Sequence, residues 1–279
     1  MRVELHCHST HSDGSFAAAE VARRAAQTGV TLFCLTDHDT CAGYAATAGE
    51  LAADGTRVLR GLELSCRENG RTVHVLLYGL REGAGLDALQ ERLDRIHAER
   101  SDRLRRICVR LAKLGIEIDA DSLLSQTHGR TPGRPDVARA LVRKGVVATP
   151  QEAFTRYLRD GGPADVPLER LSVADGLALG LAAGARASMA HPHVYGDFDQ
   201  VKALIVQHRE LGLEGLEAYY GAYGRAESES WLRLCRSHDL VATGGSDFHG
   251  EMSPAVTQPG IELPAPVAER LLAWIDPAA

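Results

Sequence analysis

Residues 4–15 read ELHCHSTHSDGS and place His6, His8, His11 and Asp13 within eight positions. Val3, Leu5 and Cys7 alternate with Glu4, His6 and His8, the period of a β-strand with one apolar face. The spacing predicts a strand over 3–8 that projects His6 and His8 side by side, where two imidazoles can grip one metal ion. Cys7 falls on the opposite face and reads as core packing. A bare His-x-His is short enough to arise by chance on a half-exposed strand. Its meaning depends on what the rest of the chain brings to it.

Working outward, short apolar stretches recur: VTLFCLT (30–36), TRVLRGLEL (56–64), RTVHVLLYGL (71–80), ARASMAH (185–191), LEGLEAYY (213–220) and LVATGGSD (240–247). Helix-like segments separate several of them, such as SFAAAEVARRAAQTG, ending at Gly29, and QVKALIVQHRELG, ending at Gly212. Alternating strand and helix implies a largely parallel sheet, open or closed into a barrel. The seven candidate strands fall just short of an eight-stranded barrel. From 86 to about 184 no strong strand pattern appears. Leu89, Leu93, Ile96, Leu104, Ile107, Leu111 and Leu114 mark one long helix stopping at Gly115, with an arginine-rich, solvated opposite face. THGRTPGRPDVARALVRKG (127–145) then runs from a loop into a helix. The sequence predicts a barrel over 1–80 and 186–279, with a mainly helical insertion over 81–185.

With 279 residues the chain can bury a full core. A net charge of −6 argues against a whole-protein grip on duplex nucleic acid. The six cysteines are scattered without a CxxC pair, which suits reduced thiols better than a disulfide framework or a zinc–thiolate site. Strand pattern begins at Val3, leaving no room for a signal peptide, and no apolar run approaches the ~20 residues that span a bilayer. A cytoplasmic protein without membrane contact is expected.

The opening histidines have company. LTDHDT puts His38 just beyond the second strand, and GLELS puts Glu63 at the end of the third. His74 lies in the fourth. MAHPH places His191 at the end of the fifth, and GGSDFH places Asp247 and His249 past the last. Ligand-type residues thus sit near the C-terminal ends of most predicted strands, the rim where barrel enzymes build their sites. Burying so many imidazoles and carboxylates without a partner would cost several kcal/mol each. Divalent cations supply that partner, and an all-nitrogen-and-oxygen set suits zinc, manganese or iron.

HCHSTHSDGS, TDHDT, GLELS, AHPH and GGSDFH, in that order, resemble the motifs of the polymerase-and-histidinol-phosphatase (PHP) domain family of metal-dependent phosphoesterases, relatives of the amidohydrolases. The resemblance implies a distorted seven-stranded β/α barrel holding three divalent metals (Mn, Fe or Zn). It assigns His6, His8, Glu63 and Asp247 to the first metal. Glu63 bridges to a second, completed by His74 and His191, and Asp13, His38 and His249 hold a third. The inserted GRTPGRPDVARALV resembles a subgroup that removes a phosphate from nucleoside 3′,5′-bisphosphates and also trims short RNA. Asp136 stands where that subgroup leads one to expect histidine.

Closely spaced metals acidify water and neutralise phosphoryl oxygens, the requirements for phosphoester hydrolysis. The departing ribose oxygen needs a proton, for which His193 is the first candidate and Asp39 the second. Arg130 and Arg134, beside a predicted helix N-terminus, are candidates for holding a second phosphate, together with His128 and His193. Competing readings are a metallo-amidohydrolase cutting a C–N bond, another small-molecule phosphatase such as a histidinol phosphatase, and a non-catalytic barrel. The first usually recruits a carboxylated lysine, and Lys113, Lys144 and Lys202 all lie away from predicted strand ends. Retention of nine ligand-type residues argues against the last.

Overall fold

The computed structural model describes residues 1–127, 130–168 and 170–276. The chain divides into two compact units, Met1–Glu91 with Arg170–Ala279, and Arg92–Glu169. The first unit is a nearly closed barrel-shaped sheet with helices. Its strands are β1 (Arg2–Glu4), β2 (Leu32–Leu35), β3 (Arg57–Glu68), β4 (Arg71–Tyr78), β5 (Leu171–Ser172), β6 (Arg186–Met189), β7 (Leu213–Tyr220), β8 (Val241–Gly245) and β9 (Ile261–Glu262). They lie in the order β8-β7-β6-β4-β3-β2-β1-β9, with β5 beside β3.

The parallel pairs β1–β2, β2–β3, β6–β7 and β7–β8 are each joined through a helix. The helix Ala18–Gln27 shows why. Ala18, Val21, Ala22 and Ala25 recur at helical spacing and bury one narrow face, in a cluster with Cys7, Phe33, Leu35 and Phe248. Cys7 is therefore core, as its strand face suggested.

β1 ends at Glu4, short of the strand expected over 3–8, and after a bend at His6 the chain meets the end of β8. Cys7 bridges Phe248 in parallel, the Asp247 N–H donates to the His6 carbonyl at 2.7 Å, and the His8 N–H donates to the Phe248 carbonyl at 2.9 Å. The sheet thus nearly closes where the first and last histidine motifs meet. Gly245 permits this approach, because a Cβ there would collide with the backbone and Cβ of His6.

One strand departs from the parallel expectation. β4 pairs antiparallel with both β3 and β6. Asn69 and Gly70, at φ 48° and 78°, make the two-residue turn between β3 and β4. Asn-Gly suits a hairpin turn that needs two positive φ angles, so ENGR (68–71) carried the signal. The reversal sets His74 opposite Ser65, and the early residues of β4 share a rim with the later residues of β3.

The domain boundaries also shift from those expected. β5 pairs with β3, and the helix Val173–Ala182 packs on β3, β4 and β6, so residues 170–185 belong with the barrel. A two-residue strand carries no readable period, which is why the sequence left this segment in the insertion. The second unit holds helices and no strand among its described residues. From Arg92 onward the helix Ala84–Lys113 belongs to it, with Ala120–Ser125, Arg134–Arg143 and Pro150–Ala153 and a π-helix at Phe154–Leu158. Its own core includes Leu104, Leu111, Leu123, Val137, Leu141 and Val166. No helix of the described residues is long and apolar enough to cross a membrane.

Candidate metal centre

The fold gathers all nine expected ligand residues. Glu63, wholly buried on β3, is the hub. Its carboxylate lies 2.9 Å from His38 Nδ1, 2.9 Å from His74 Nδ1, 3.0 Å from His191 Nε2, 3.3 Å from His8 Nε2 and 3.4 Å from His6 Nε2. Asp247 Oδ1 faces His6 Nε2 at 3.3 Å and His8 Nε2 at 3.2 Å. Asp13 faces His249 Nε2 at 3.3 Å, His8 Nδ1 at 3.5 Å and His38 Nε2 at 3.6 Å.

Four sets of side chains each present ligand atoms within 4.8 Å of one another: His8/Asp13/His38/His249, His6/His8/Asp247, His6/Glu63/His191 and His38/Glu63/His74. Every nominated residue appears in at least one set, and His11 in none. The grouping differs in detail from the family's assignment. Glu63 joins His74 to His38 and joins His191 to His6, although His74 Nδ1 and His191 Nε2 are themselves 3.3 Å apart.

A divalent cation fits this donor set. His6 Nε2, His8 Nε2 and Glu63 Oε2 are buried and make no hydrogen bond, although the oxygens and imidazole nitrogens lie close. Buried polar atoms left this way are costly, and a cation would engage them all. Nitrogen and oxygen donors without thiolate favour zinc, manganese or iron over soft ions. Burial opposes ionisation of Glu63, but the surrounding imidazoles, led by His38 and His74, hold it well below the usual carboxylate range. Burial pushes His74 down to about 4 against the pull of Glu63, leaving the neutral imidazole that a ligand must be.

Supporting residues escaped the sequence reading. Glu217, wholly buried on β7, accepts from His6 Nδ1 at 3.0 and 3.1 Å and from the His191 N–H at 2.6 Å. The Tyr220 hydroxyl donates to Asp247 Oδ2 at 2.7 Å. Glu4 accepts from the backbone N–H groups of His6 and Ser246, both at 3.0 Å, and Asp37 accepts from Ser9 N–H at 2.8 Å and from the Ser12 hydroxyl. The available signal was a carboxylate inside an apolar strand, as in LEGLEAYY. Backbone strain concentrates here too: Asp39, His191 and Asp247 have φ of 54°, 23° and 55°.

The remaining candidates fare differently. Asp39 is buried, its carboxylate accepts from the Ser65 N–H at 2.7 Å, and its own N–H donates to the Glu63 carbonyl at 2.9 Å. These contacts tie it to the end of β3. His193 is exposed, its ring 6.3 Å from that of His191, with Nδ1 2.7 Å from the Tyr223 hydroxyl. Arg130 is paired with Asp136, which also accepts from Arg139 at 2.6 Å and from the Gly133 N–H at 2.8 Å. Arg134 donates to Asp160 at 2.7 Å and to the Leu158 carbonyl at 2.9 Å. His128 lies outside the described residues.

Known proteins resemble this chain in sequence and fold. The family model of the PHP domain matches residues 4–155. A phosphoribosyl 1,2-cyclic phosphate 1,2-diphosphodiesterase of Eggerthella lenta is 34% identical over 94% of this chain and 99% of its own. A 3′,5′-nucleoside bisphosphate phosphatase of Chromobacterium violaceum is 31% identical over 88% of this chain and 87% of its own. A 5′-3′ exoribonuclease of Haemophilus influenzae is 33% identical over 89% of this chain and 90% of its own. Among solved structures, an amidohydrolase from Chromobacterium violaceum with bound sulfate and no metal superposes with a TM-score of 0.82. It is 29% identical and covers 96% of both chains.

Proposed function

The chain belongs to the PHP domain family of metal-dependent phosphoesterases, and on that premise we propose that it removes the 3′-phosphate of nucleoside 3′,5′-bisphosphates, leaving the 5′-monophosphate. Trimming of short 5′-phosphorylated oligonucleotides would break the same P–O3′ bond with the same leaving group, the attacked phosphorus then carrying the rest of the chain as an ester. The observation that carries the reading is Glu63, one buried carboxylate within 3.4 Å of five imidazoles, with Asp247 and Asp13 on either side. Three divalent ions would be held by His6, His8 and Asp247 with Glu63, by Glu63 with His74 and His191, and by Asp13, His38 and His249. When bound, such ions supply Lewis acidity, neutralising phosphoryl charge and making water a better nucleophile.

The chain's own groups do the rest. His193, with Nδ1 on the Tyr223 hydroxyl, keeps Nε2 for the departing ribose oxygen and is the proposed proton donor. Asp39, held by Ser65, keeps the Glu63 backbone in place and supports the site without touching substrate. The second phosphate needs its own cation, and Arg134 is the better candidate, because Arg130 already shares a two-nitrogen contact with Asp136. The C–N-cleaving alternative usually recruits a carboxylated lysine, and Lys113, Lys144 and Lys202 lie in or at the ends of helices.

Incubation with manganese and three substrates tests the proposal: adenosine 3′,5′-bisphosphate, a 5′-phosphorylated dinucleotide and a ribose 1,2-cyclic phosphate. Chromatography should show adenosine 5′-monophosphate and free phosphate from the first, formed with the highest kcat/KM. Accumulation of the 3′-monophosphate, or faster turnover of the cyclic ester, would overturn it.

A further inference from the structure

We propose that Glu217 is a positioning residue that fixes the protonation side of His6 and the backbone of His191, and thereby sets the metal affinity of the ligand sets those two residues share. The inference rests on the metal-dependent reading above. Glu217 lies in the middle of β7, wholly buried, and serves two ligands from different parts of the sheet.

Toward His6, both carboxylate oxygens stand 3.0 and 3.1 Å from Nδ1. An ionised carboxylate only accepts, so the proton must sit on Nδ1. With Nδ1 deprotonated, its lone pair would face two oxygens in a dry interior. Protonation at Nδ1 leaves Nε2 as the ligand atom, 3.3 Å from Asp247 Oδ1 and 3.4 Å from Glu63 Oε1. That nitrogen is buried and makes no hydrogen bond. A carboxylate behind a ligating histidine orients the ring and raises its basicity.

Toward His191, Glu217 Oε2 accepts the backbone N–H at 2.6 Å. His191 needs that anchor. Its φ of 23° and ψ of 67° lie in a region that side-chain-bearing residues rarely adopt. Held there, the ring reaches Glu63 Oε1 at 3.0 Å. His6 and His191 meet in one ligand set with Glu63, so a single buried carboxylate aligns two of its three members.

Glutamine cannot replace it. An amide has one accepting oxygen, and its NH2 would face either the His6 Nδ1–H or the His191 N–H, donor against donor. Relief on the His6 side moves the proton to Nε2 and removes the ligand atom.

Two measurements test this. Metal-free wild type, Glu217→Gln and Glu68→Gln are titrated with Mn²⁺ or Zn²⁺ by calorimetry, with Tm recorded for each. Glu68, half-buried and facing His208 at 3.1 Å outside the cluster, is the control for loss of a carboxylate–histidine contact. Glu217→Gln should bind about 10–100-fold more weakly or lose one equivalent, while Glu68→Gln changes Tm alone. Wild-type affinity and stoichiometry in Glu217→Gln overturn the inference. Wild type that binds no divalent ion would instead overturn the metal-dependent reading. Should Glu217→Gln not fold, long-range ¹⁵N histidine spectra of the wild type decide. His6 should be protonated at Nδ1, both metal-free and zinc-loaded, and a deprotonated or zinc-bound Nδ1 overturns the role.

Discussion

The Tyr220 hydroxyl donates to Asp247 Oδ2 at 2.7 Å, while Oδ1 of the same carboxylate faces the Nε2 atoms of His6 and His8. One oxygen is held by the protein and the other is offered to the cluster. Burial and the charge of Asp247 push the Tyr220 phenol above its ordinary range, so it remains a donor at any working pH. Tyr220→Phe should keep the fold and weaken metal binding about tenfold, with kcat falling in step at low metal and recovering at high metal. Asp247→Asn should not recover. Metal titration of activity separates the two variants, and a Tyr220→Phe curve superimposed on wild type would show that this hydrogen bond positions nothing.

Glu63 and Asp13 should differ in what their loss removes. Glu63 is wholly buried and belongs to two ligand sets, whereas the Asp13 side chain is 44% exposed and belongs to one. Glu63→Ala should abolish activity and lose more than one equivalent of metal, and Asp13→Ala should lose about one and keep residual activity. Elemental analysis of the purified variants reads this out. Full metal occupancy in Glu63→Ala would remove the hub assignment.

The contrast between legible and hidden residues has a physical basis. His6 and His8 could be read because strand alternation fixes their shared face without knowledge of any neighbour. Their convergence with Asp247 and His249, from the other end of the chain, followed from the repeated placement of ligand types at strand ends. The direction of β4 was also written locally, in Asn69-Gly70, where two successive positive φ angles demand such a pair. Glu217 and Glu4 were hidden for the opposite reason. A glutamate alternating with apolar residues reads as a solvent face, and only the closed sheet reveals that its oxygens meet imidazole and backbone N–H groups. Asp136 was judged by what a subgroup carries there, whereas its role is set by Arg139, its i,i+3 partner on the same helix, and by Arg130, which no spacing rule names. The sequence offered Arg130 and Arg134 as candidates for a second phosphate, and their carboxylate partners, Asp136 and Asp160, are visible only in the structure.

Arg134 is the proposed holder of the second phosphate. Its contacts with Asp160 and Leu158 are partly solvent-facing, with the Asp160 side chain 77% exposed, so an incoming phosphate can compete for the guanidinium. Arg134→Ala should raise KM for a 3′,5′-bisphosphate roughly tenfold or more and change kcat less, the signature of lost uniform binding. For a substrate without the 5′-phosphate, wild type and variant should be nearly alike. Equal KM for the bisphosphate would take Arg134 out of the binding site and leave it a structural residue of the helical unit.

Asp136 should register in stability and its pH dependence. Burial pushes its carboxyl up, but the Arg130 hydrogen bond, the Gly133 N–H and the charges of Arg130 and Arg139 outweigh that and hold it below the usual carboxylate value. A carboxyl depressed in the folded state binds fewer protons there than in the unfolded chain. Its contribution is therefore complete above the unfolded value, near ~3.9, and disappears as pH falls through the lower folded value. At neutral pH, Asp136→Asn should cost about 2 kcal/mol, the scale of a buried charge-assisted hydrogen bond together with a helix cap. Toward acid the gap should close, because the wild type loses through protonation what the variant never had. Denaturant unfolding from pH 7 to pH 3 measures both curves. Parallel curves over that range would mean that Asp136 holds the turn by shape alone and that its charge pairs contribute nothing.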